Sequence, residues 1–199
     1  MRSLARSALI IALFATTASA QDKSALRYFT SEADFRAAAS NPALDEYTDL
    51  HVTQNLRQPM ARARGLYRYR LSARPFGLFI SASETEPWIS VMDPPQSTLI
   101  IDGFRPSVRA VGAYLFGAFQ AHQKSNVTIK VTVVTSEGRT TTTLHDTSAQ
   151  TFFGVSSSRI PILSVRVEAV QDFPFELYPS VRAVILGSAV IASDGQSPG

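Results

Sequence analysis

The sequence predicts a mainly β protein: a two-sheet antiparallel β-sandwich, jelly-roll-like, with one short N-terminal helix. Several runs alternate apolar and polar residues with a period of two, as half-buried strands do. Turn signals built from Pro, Gly, Asp and Asn recur at about 8–12-residue intervals, which is typical of a sandwich. Only one helical pattern occurs, so parallel βαβ units are not expected. The chain of 199 residues is long enough to bury a core, and it contains no cysteine, which excludes disulfides and thiolate metal sites.

The first 20 residues predict a secretory signal peptide. Arg2 and Arg6 precede a short apolar run, and Ala18-Ser19-Ala20 fits a small-residue cleavage site before Gln21. The run is too short to span a bilayer comfortably. We therefore expect export to the periplasm or the cell exterior, with no integral membrane segment after cleavage. Loss of the two arginines lowers the formal net charge from +3 to +1, so no nucleic-acid partner is expected.

The mature chain is predicted to begin with a short helical lead. Residues 30–40 contain Ser31-Glu32-Ala33-Asp34, which has the shape of a capping box, and Asn41-Pro42 is expected to end the helix. We assign residues 21–44 to this lead, residues 45–192 to the β-sandwich domain and residues 193–199 to a disordered tail.

The predicted strands follow the alternation and the turn signals. In chain order they cover residues 66–71, 76–82, 88–91, 98–101, 108–116, 126–134, 140–144, 163–169 and 181–191. Residues 108–116 and 181–191 are apolar on both faces, which predicts central strands covered on both sides, with bulges at Gly112 and Gly187. The turn Ser136–Arg139 predicts a β-hairpin.

No catalytic constellation is evident in the sequence. None of His51, His122 and His145 has metal-ligand or triad spacing, and no nucleophile elbow, phosphate-binding loop or dinucleotide motif occurs. The adjacent acids Asp45 and Glu46 are interpreted as a solvated edge rather than a glycosidase pair. We expect no catalytic residues, no metal and no cofactor.

Residues 51–83 carry six arginines and no acid. Within this segment arginine alternates with tyrosine, so a strand would place Arg68 and Arg70 on one face and Tyr67 and Tyr69 on the other. One interpretation is a surface that binds carboxylate, sulfate or phosphate groups, such as those of an acidic polysaccharide. The alternative is an exposed strand whose arginines pair with acids on neighbouring strands and protect a sheet edge.

Trp88, the only tryptophan, follows Pro87 at a predicted loop-to-strand step. An exposed tryptophan there could stack on a sugar ring, whereas a buried one would be part of the core. The candidate ligand-binding residues are Arg62, Arg64, Tyr67, Arg68, Tyr69, Arg70 and Trp88.

Short motifs in a familiar order carry a resemblance to a known family. They are the helical lead from Tyr28 to Phe35, the strand motif Val111–Tyr114, the hairpin Val131–Gly138, and Phe152–Val155 followed by Pro161–Val167. Residues 28–192 thereby resemble the exported bacterial β-sandwich proteins that often carry a PEP-CTERM sorting tail. The resemblance implies a jelly-roll, lectin-like surface or matrix component and supplies no catalytic residues. The Pro-Glu-Pro motif and its membrane segment do not occur here, so sorting to a surface anchor is not implied.

These observations favour an exported, non-catalytic β-sandwich module that binds carbohydrate, either acidic or neutral polysaccharide, or another extracellular matrix component. One alternative is a jelly-roll hydrolase or lyase acting on polysaccharide, with Arg68, Tyr69 and either His122 or His145 in its active site. A second alternative is a structural or assembly protein of the cell envelope whose sheet edge pairs with a partner.

Overall fold

Two antiparallel sheets form the described part of this chain. A computed structural model describes residues 26–50, 54–75, 77–81, 86–92, 96–119, 123–125, 127–171 and 176–189. The predicted signal peptide and the predicted tail lie outside these residues. The short helix α1 spans Glu32–Ala37, with the Ser31 side chain accepting a hydrogen bond from the Asp34 amide as its N-cap. Within the described residues no helix has the length and apolar character needed to cross a membrane.

One sheet contains nine described strands. They are β1 (Leu26–Phe29), β2 (Ala39–Asp45), β3 (Gln54–Leu56), β6 (Leu78–Ser81), β7 (Trp88–Val91), β9 (Ala110–Phe119), β10 (Gln123–Ser125), β13 (Phe152–Ser157) and β15 (Tyr178–Ala189). The main path runs β1-β13-β9-β15-β7-β6-β3, with β10 beside β9 and β2 beside β15.

The other sheet contains six described strands. They are β4 (Met60–Arg64), β5 (Tyr67–Arg74), β8 (Thr98–Arg105), β11 (Val127–Thr135), β12 (Gly138–Thr147) and β14 (Ile162–Ala169). The order is β12-β11-β14-β8-β5-β4, and the β11–β12 hairpin is the one predicted around Ser136. The mainly β, two-sheet prediction is confirmed. The strand order does not establish the expected jelly-roll connectivity.

The N-terminal lead differs from its prediction. The helix ends at Ala37, and Asn41-Pro42 lies inside β2, where Asn41 adopts a left-handed φ of 51°. β1 pairs with β13 and β2 pairs with β15, so the boundary predicted between residues 44 and 45 falls within a strand of the sandwich. Local turn chemistry indicated a break here, but β15 supplies backbone hydrogen-bond partners that extend the segment as a strand.

The core lies between the two sheets. It is built from the inward residues of both, such as Val131 and Val165 from the six-stranded sheet and Val111 and Val184 from the nine-stranded one. Alternation along β11 is regular, with each odd residue from Val127 to Thr135 buried. The period-two pattern in the sequence therefore identifies the residues of β11 that face the core.

A second apolar layer covers the outer face of the nine-stranded sheet. Phe35 of α1 is fully buried there and packs on Phe152, with ring centroids 5.6 Å apart. Both rings lie over Gly112 of β9: a Cβ atom at this position would stand 2.8 Å from Phe152 and 3.0 Å from Phe35. Gly112 therefore provides space for aromatic rings, and no register shift occurs at it, so the predicted bulge there is wrong. The bulge predicted at Gly187 is confirmed by a register shift between Leu186 and Ser188.

Gly112→Ala should destabilise the protein by about 1–3 kcal/mol, because the added methyl group overpacks the Phe35–Phe152 layer. The matched control is Gly77→Ala, since a Cβ at Gly77 meets only the flexible Met92 thioether, at 3.2 Å. Urea unfolding of both variants measures the difference. Equal free energies of unfolding for the two variants would contradict this account of Gly112.

Candidate functional site

The two faces of β5 have opposite chemical character. Tyr67 and Tyr69 are buried in the core, whereas Arg68 and Arg70 are exposed. This confirms the predicted separation of tyrosines and arginines on the strand. The tyrosines therefore line the interior, and only the arginine side of β5 meets solvent.

Arg62 and Arg64 of β4 do not lie on that exposed side. Both pair across the strands with tyrosines of β5, Arg62 opposite Tyr69 and Arg64 opposite Tyr67. The arginines consequently point inward, and the small residue between them, Ala63, is exposed. Their placement separates Arg62 and Arg64 from Arg68 and Arg70, with which the sequence grouped them.

Five side chains form a cluster that connects β2 of one sheet with β4 and β5 of the other. It is here called the inter-sheet ion cluster and consists of Asp45, Asp49, Arg62, Arg64 and Tyr69. Arg62 binds Asp45 through two hydrogen bonds, Nε to Oδ2 at 2.9 Å and Nη2 to Oδ1 at 2.7 Å. Its two terminal nitrogens also reach Asp49, at 2.8 and 2.6 Å. Arg64 Nε donates to Asp45 Oδ1 at 3.0 Å, and the Tyr69 hydroxyl donates to Asp45 Oδ2 at 2.8 Å.

Burial and hydrogen bonding set the charge states of this cluster. Burial raises the pKa of Asp45, but the hydrogen bonds from Arg62 and Tyr69 outweigh it, so the pKa lies below its ordinary value. The hydrogen bond from Arg62 likewise lowers the pKa of Asp49. Burial also raises the pKa of Tyr69 well above its ordinary value, which keeps its hydroxyl protonated as a donor. The cluster therefore holds two carboxylates against two guanidinium groups.

This arrangement corrects one expectation from the sequence. Asp45 was interpreted as part of a solvated edge, yet it is 1% exposed, while its neighbour Glu46 is exposed. Asp45 belongs to β2 and Arg62 to β4, so the ion pair joins the two sheets. The available signal was the spacing: Asp45 and Asp49 immediately precede the acid-free segment that contains the arginines.

The outward side of β5 and β8 forms a second, solvent-facing group, here called the arginine face: Arg68, Arg70, Arg74, Arg105 and Asp102. Arg68 lies opposite Arg105, and Arg70 lies opposite Asp102. Arg70 Nε donates to Asp102 Oδ1 at 3.0 Å, with 51% of the Arg70 side chain exposed. Within the described part of the chain, Arg68, Arg74 and Arg105 make no ion pair. The group thus contains four arginines and one aspartate, and only Arg70 pairs with that aspartate.

An open groove of about 770 Å³ lies on this face. Its lining includes Arg70, Arg74 and Asp102, together with the residues Gln58, Pro59, Ser72, Ala73 and Pro75. Gln58 is held beside β5 because its side-chain oxygen accepts a hydrogen bond from the Ala73 amide at 2.8 Å. The groove is therefore lined by cationic, polar and proline-ring groups.

Trp88 belongs neither to the inter-sheet ion cluster nor to the arginine face. It is 6% exposed and lies on the outer side of the nine-stranded sheet, where its ring meets Phe116 edge-on at 6.1 Å between centroids. The ring is therefore packed as part of an outer core, and the structure does not bring it to the arginine residues. Only Arg68 and Arg70, among the seven candidate residues, lie on the open face.

The groups named for an active site do not converge. Arg68 and Tyr69 lie on opposite faces of β5, and His145 lies on β12, four strands away in the sheet order. His122 falls outside the described residues. The described ranges also contain no cluster of three or more His, Asp or Glu side chains arranged for a metal ion.

Arg62→Met should destabilise the protein by about 3–5 kcal/mol, because it leaves the buried Asp45 carboxylate without its bidentate partner. Arg64→Met is the matched control: the Arg64 side chain is 34% exposed, so its loss should cost about 0–1 kcal/mol. Chemical denaturation at pH 7 measures both variants. A loss at Arg62 no larger than that at Arg64 would contradict the central role of the Asp45 pair.

The lowered pKa values of Asp45 and Asp49 predict acid sensitivity. Their ion pairs stabilise the fold fully above the unfolded aspartate pKa, about 3.9, and this stabilisation is lost as the pH falls through the lower folded-state values. Asp49→Asn should therefore reduce the decline in unfolding free energy between pH 6 and pH 3. Thermal unfolding across this range tests it, with the exposed Glu46→Gln as control. An undiminished decline in the Asp49 variant would refute the assignment.

Comparison of the chain with protein-family models, with curated protein sequences and with solved structures gave no match.

Proposed function

We propose that this protein is an exported, non-catalytic β-sandwich module that binds polysaccharide, or another extracellular matrix component, through the arginine face. The signal-like N-terminus and the resemblance to exported bacterial β-sandwich proteins support the compartment. The arginine face supports the binding role. Trp88 and the two tyrosines of β5 are not part of the proposed site, because they are buried.

The observation that carries the proposal is the open arginine face itself. Arg62 and Arg64 satisfy their charges inside the protein, but Arg68, Arg74 and Arg105 have no acidic partner among the described residues, and Arg70 is half exposed. Guanidinium groups bind carboxylate and sulfate through paired hydrogen bonds and donate to sugar hydroxyls as well. A groove lined by such groups suits a chain-like polar ligand.

The two alternatives have less support. A hydrolase or lyase that used Arg68, Tyr69 and His145 would need these side chains in one cleft, and they lie on different faces and strands. An assembly role would use β12, a ten-residue strand at the end of the described six-stranded sheet whose residues are mostly exposed. An edge of this kind can pair with a partner strand.

Purified protein should bind members of a glycan array and be retained by immobilised polysaccharide. The double variant Arg68→Gln/Arg74→Gln should bind at least about tenfold more weakly, because it removes two charge-assisted donors. The matched control, Arg27→Gln/Arg139→Gln, removes the same charge from β1 and β12 and should stay within about twofold of the unmodified protein.

Two results would contradict the proposal. One is the absence of binding to any neutral or acidic glycan at millimolar concentration. The other is an equal loss of affinity in the two double variants, which would indicate that net charge, rather than the arginine face, accounts for binding.

A further inference from the structure

Arg70 differs from the other arginines of the face in the way its guanidinium is held. Its Nε edge is fixed by the 3.0 Å hydrogen bond to Asp102 Oδ1. Within the described residues, Nη1 and Nη2 make no hydrogen bond. One edge of the planar group is therefore bound to the protein, and the opposite, terminal edge remains for a ligand.

Gly103, next to Asp102 on β8, creates the space that this guanidinium occupies. A Cβ atom on Gly103 would lie 2.5 Å from Arg70 Nε and 3.1 Å from its Cζ, so the guanidinium would have to move to accommodate it. Gly103 also has a φ of +67°, a left-handed conformation that favours glycine. Glycine at this position thus leaves room for the Arg70 guanidinium close to the backbone of β8.

Arg74 also lines this groove. It is four residues after Arg70 on β5, and both residues line the groove with Ser72 between them. Four residues of a strand span about 13 Å between Cα atoms. The groove therefore presents two cationic positions on one strand face, together with hydroxyl, amide and proline-ring surface in the same lining, which fits a polymer whose acidic groups recur along its length.

We propose that Arg70, held by Asp102 and Gly103, is a preorganised anchor for one carboxylate or sulfate group of an anionic polysaccharide, and that Arg74 binds a second acidic group of the same chain. The inference rests on the proposed carbohydrate-binding function and specifies its ligand class. A guanidinium that is already oriented loses little side-chain entropy on binding, and its two terminal N–H groups match the geometry of an oxyanion. Lysine has the same charge but cannot reproduce that geometry.

The test compares three polymers on the full chain: polygalacturonate as a carboxylate source, dextran sulfate as a sulfate source, and neutral dextran. At least one acidic polymer should bind at least about tenfold more tightly than dextran, and the preferred polymer identifies which acidic group Arg70 binds. Arg70→Lys keeps the charge and removes the planar fork. It should weaken binding to the preferred polymer about tenfold.

Gly103→Ala keeps every charge and displaces Arg70, so it should weaken binding to a similar extent. Because this variant could also lose stability, its unfolding temperature is measured alongside, and Arg70→Lys remains the decisive variant. The control is Arg139→Gln on β12, four strands from β5 and thus about 19 Å away. It should bind within about twofold of the unmodified protein.

The outcomes separate this inference from the function on which it rests. Equal binding of dextran and the acidic polymers, or unchanged binding in Arg70→Lys, would overturn the anchor and its ligand class while leaving a carbohydrate-binding module in place. If none of the three polymers binds and no glycan on the array binds, both the anchor and the carbohydrate-binding function are overturned.

Discussion

The buried pair between Asp45 and Arg62 is the interaction on which the arrangement of this end of the sandwich depends. It joins β2 of one sheet to β4 of the other, and Asp45 is almost inaccessible to solvent. Charges in such a place are tolerated only when each hydrogen-bonding position is filled, and Arg64, Tyr69 and the backbone amide of Tyr47 supply the remaining donors to Asp45. The cluster thereby fixes β4 in the register that turns its arginines inward.

Because of that register, the neighbouring strands β4 and β5 direct their arginines to opposite faces of the sheet. In β4 the arginines are internal and the alanines face outward, whereas in β5 the tyrosines are internal and the arginines face outward. The arginines of β4 and β5 are therefore divided between the two faces of the six-stranded sheet. Those of β4 are neutralised by Asp45 and Asp49, whereas among those of β5 only Arg70 pairs with an acid, Asp102, within the described residues. The arginines of β5 remain available for the proposed binding because Asp45 and Asp49 pair with the arginines of β4 and not with them.

Several features could be predicted from residues alone, and others could not. The alternation of β11 and β14 and the turn at Ser136 depend on local patterns, and their predictions are confirmed. β2 escaped prediction because Asn41-Pro42 carries a strong local signal for a break, and only pairing with β15 extends it as a strand. The inward direction of Arg62 could not be predicted either, since a period-two pattern normally places alanine inside and arginine outside. Its acidic partner comes from a different sheet.

The sequence by itself determined the mainly β fold, the separation of Tyr69 from Arg70 on β5, and the concentration of positive charge in one segment. These are properties of single strands, whose alternation depends only on the backbone. Tertiary structure decided which arginines are neutralised and which are available, because that depends on the acids that neighbouring strands bring within hydrogen-bond distance. It also decided that Trp88 is packed and that Gly103 makes room for Arg70, since both are contacts between residues distant in the chain.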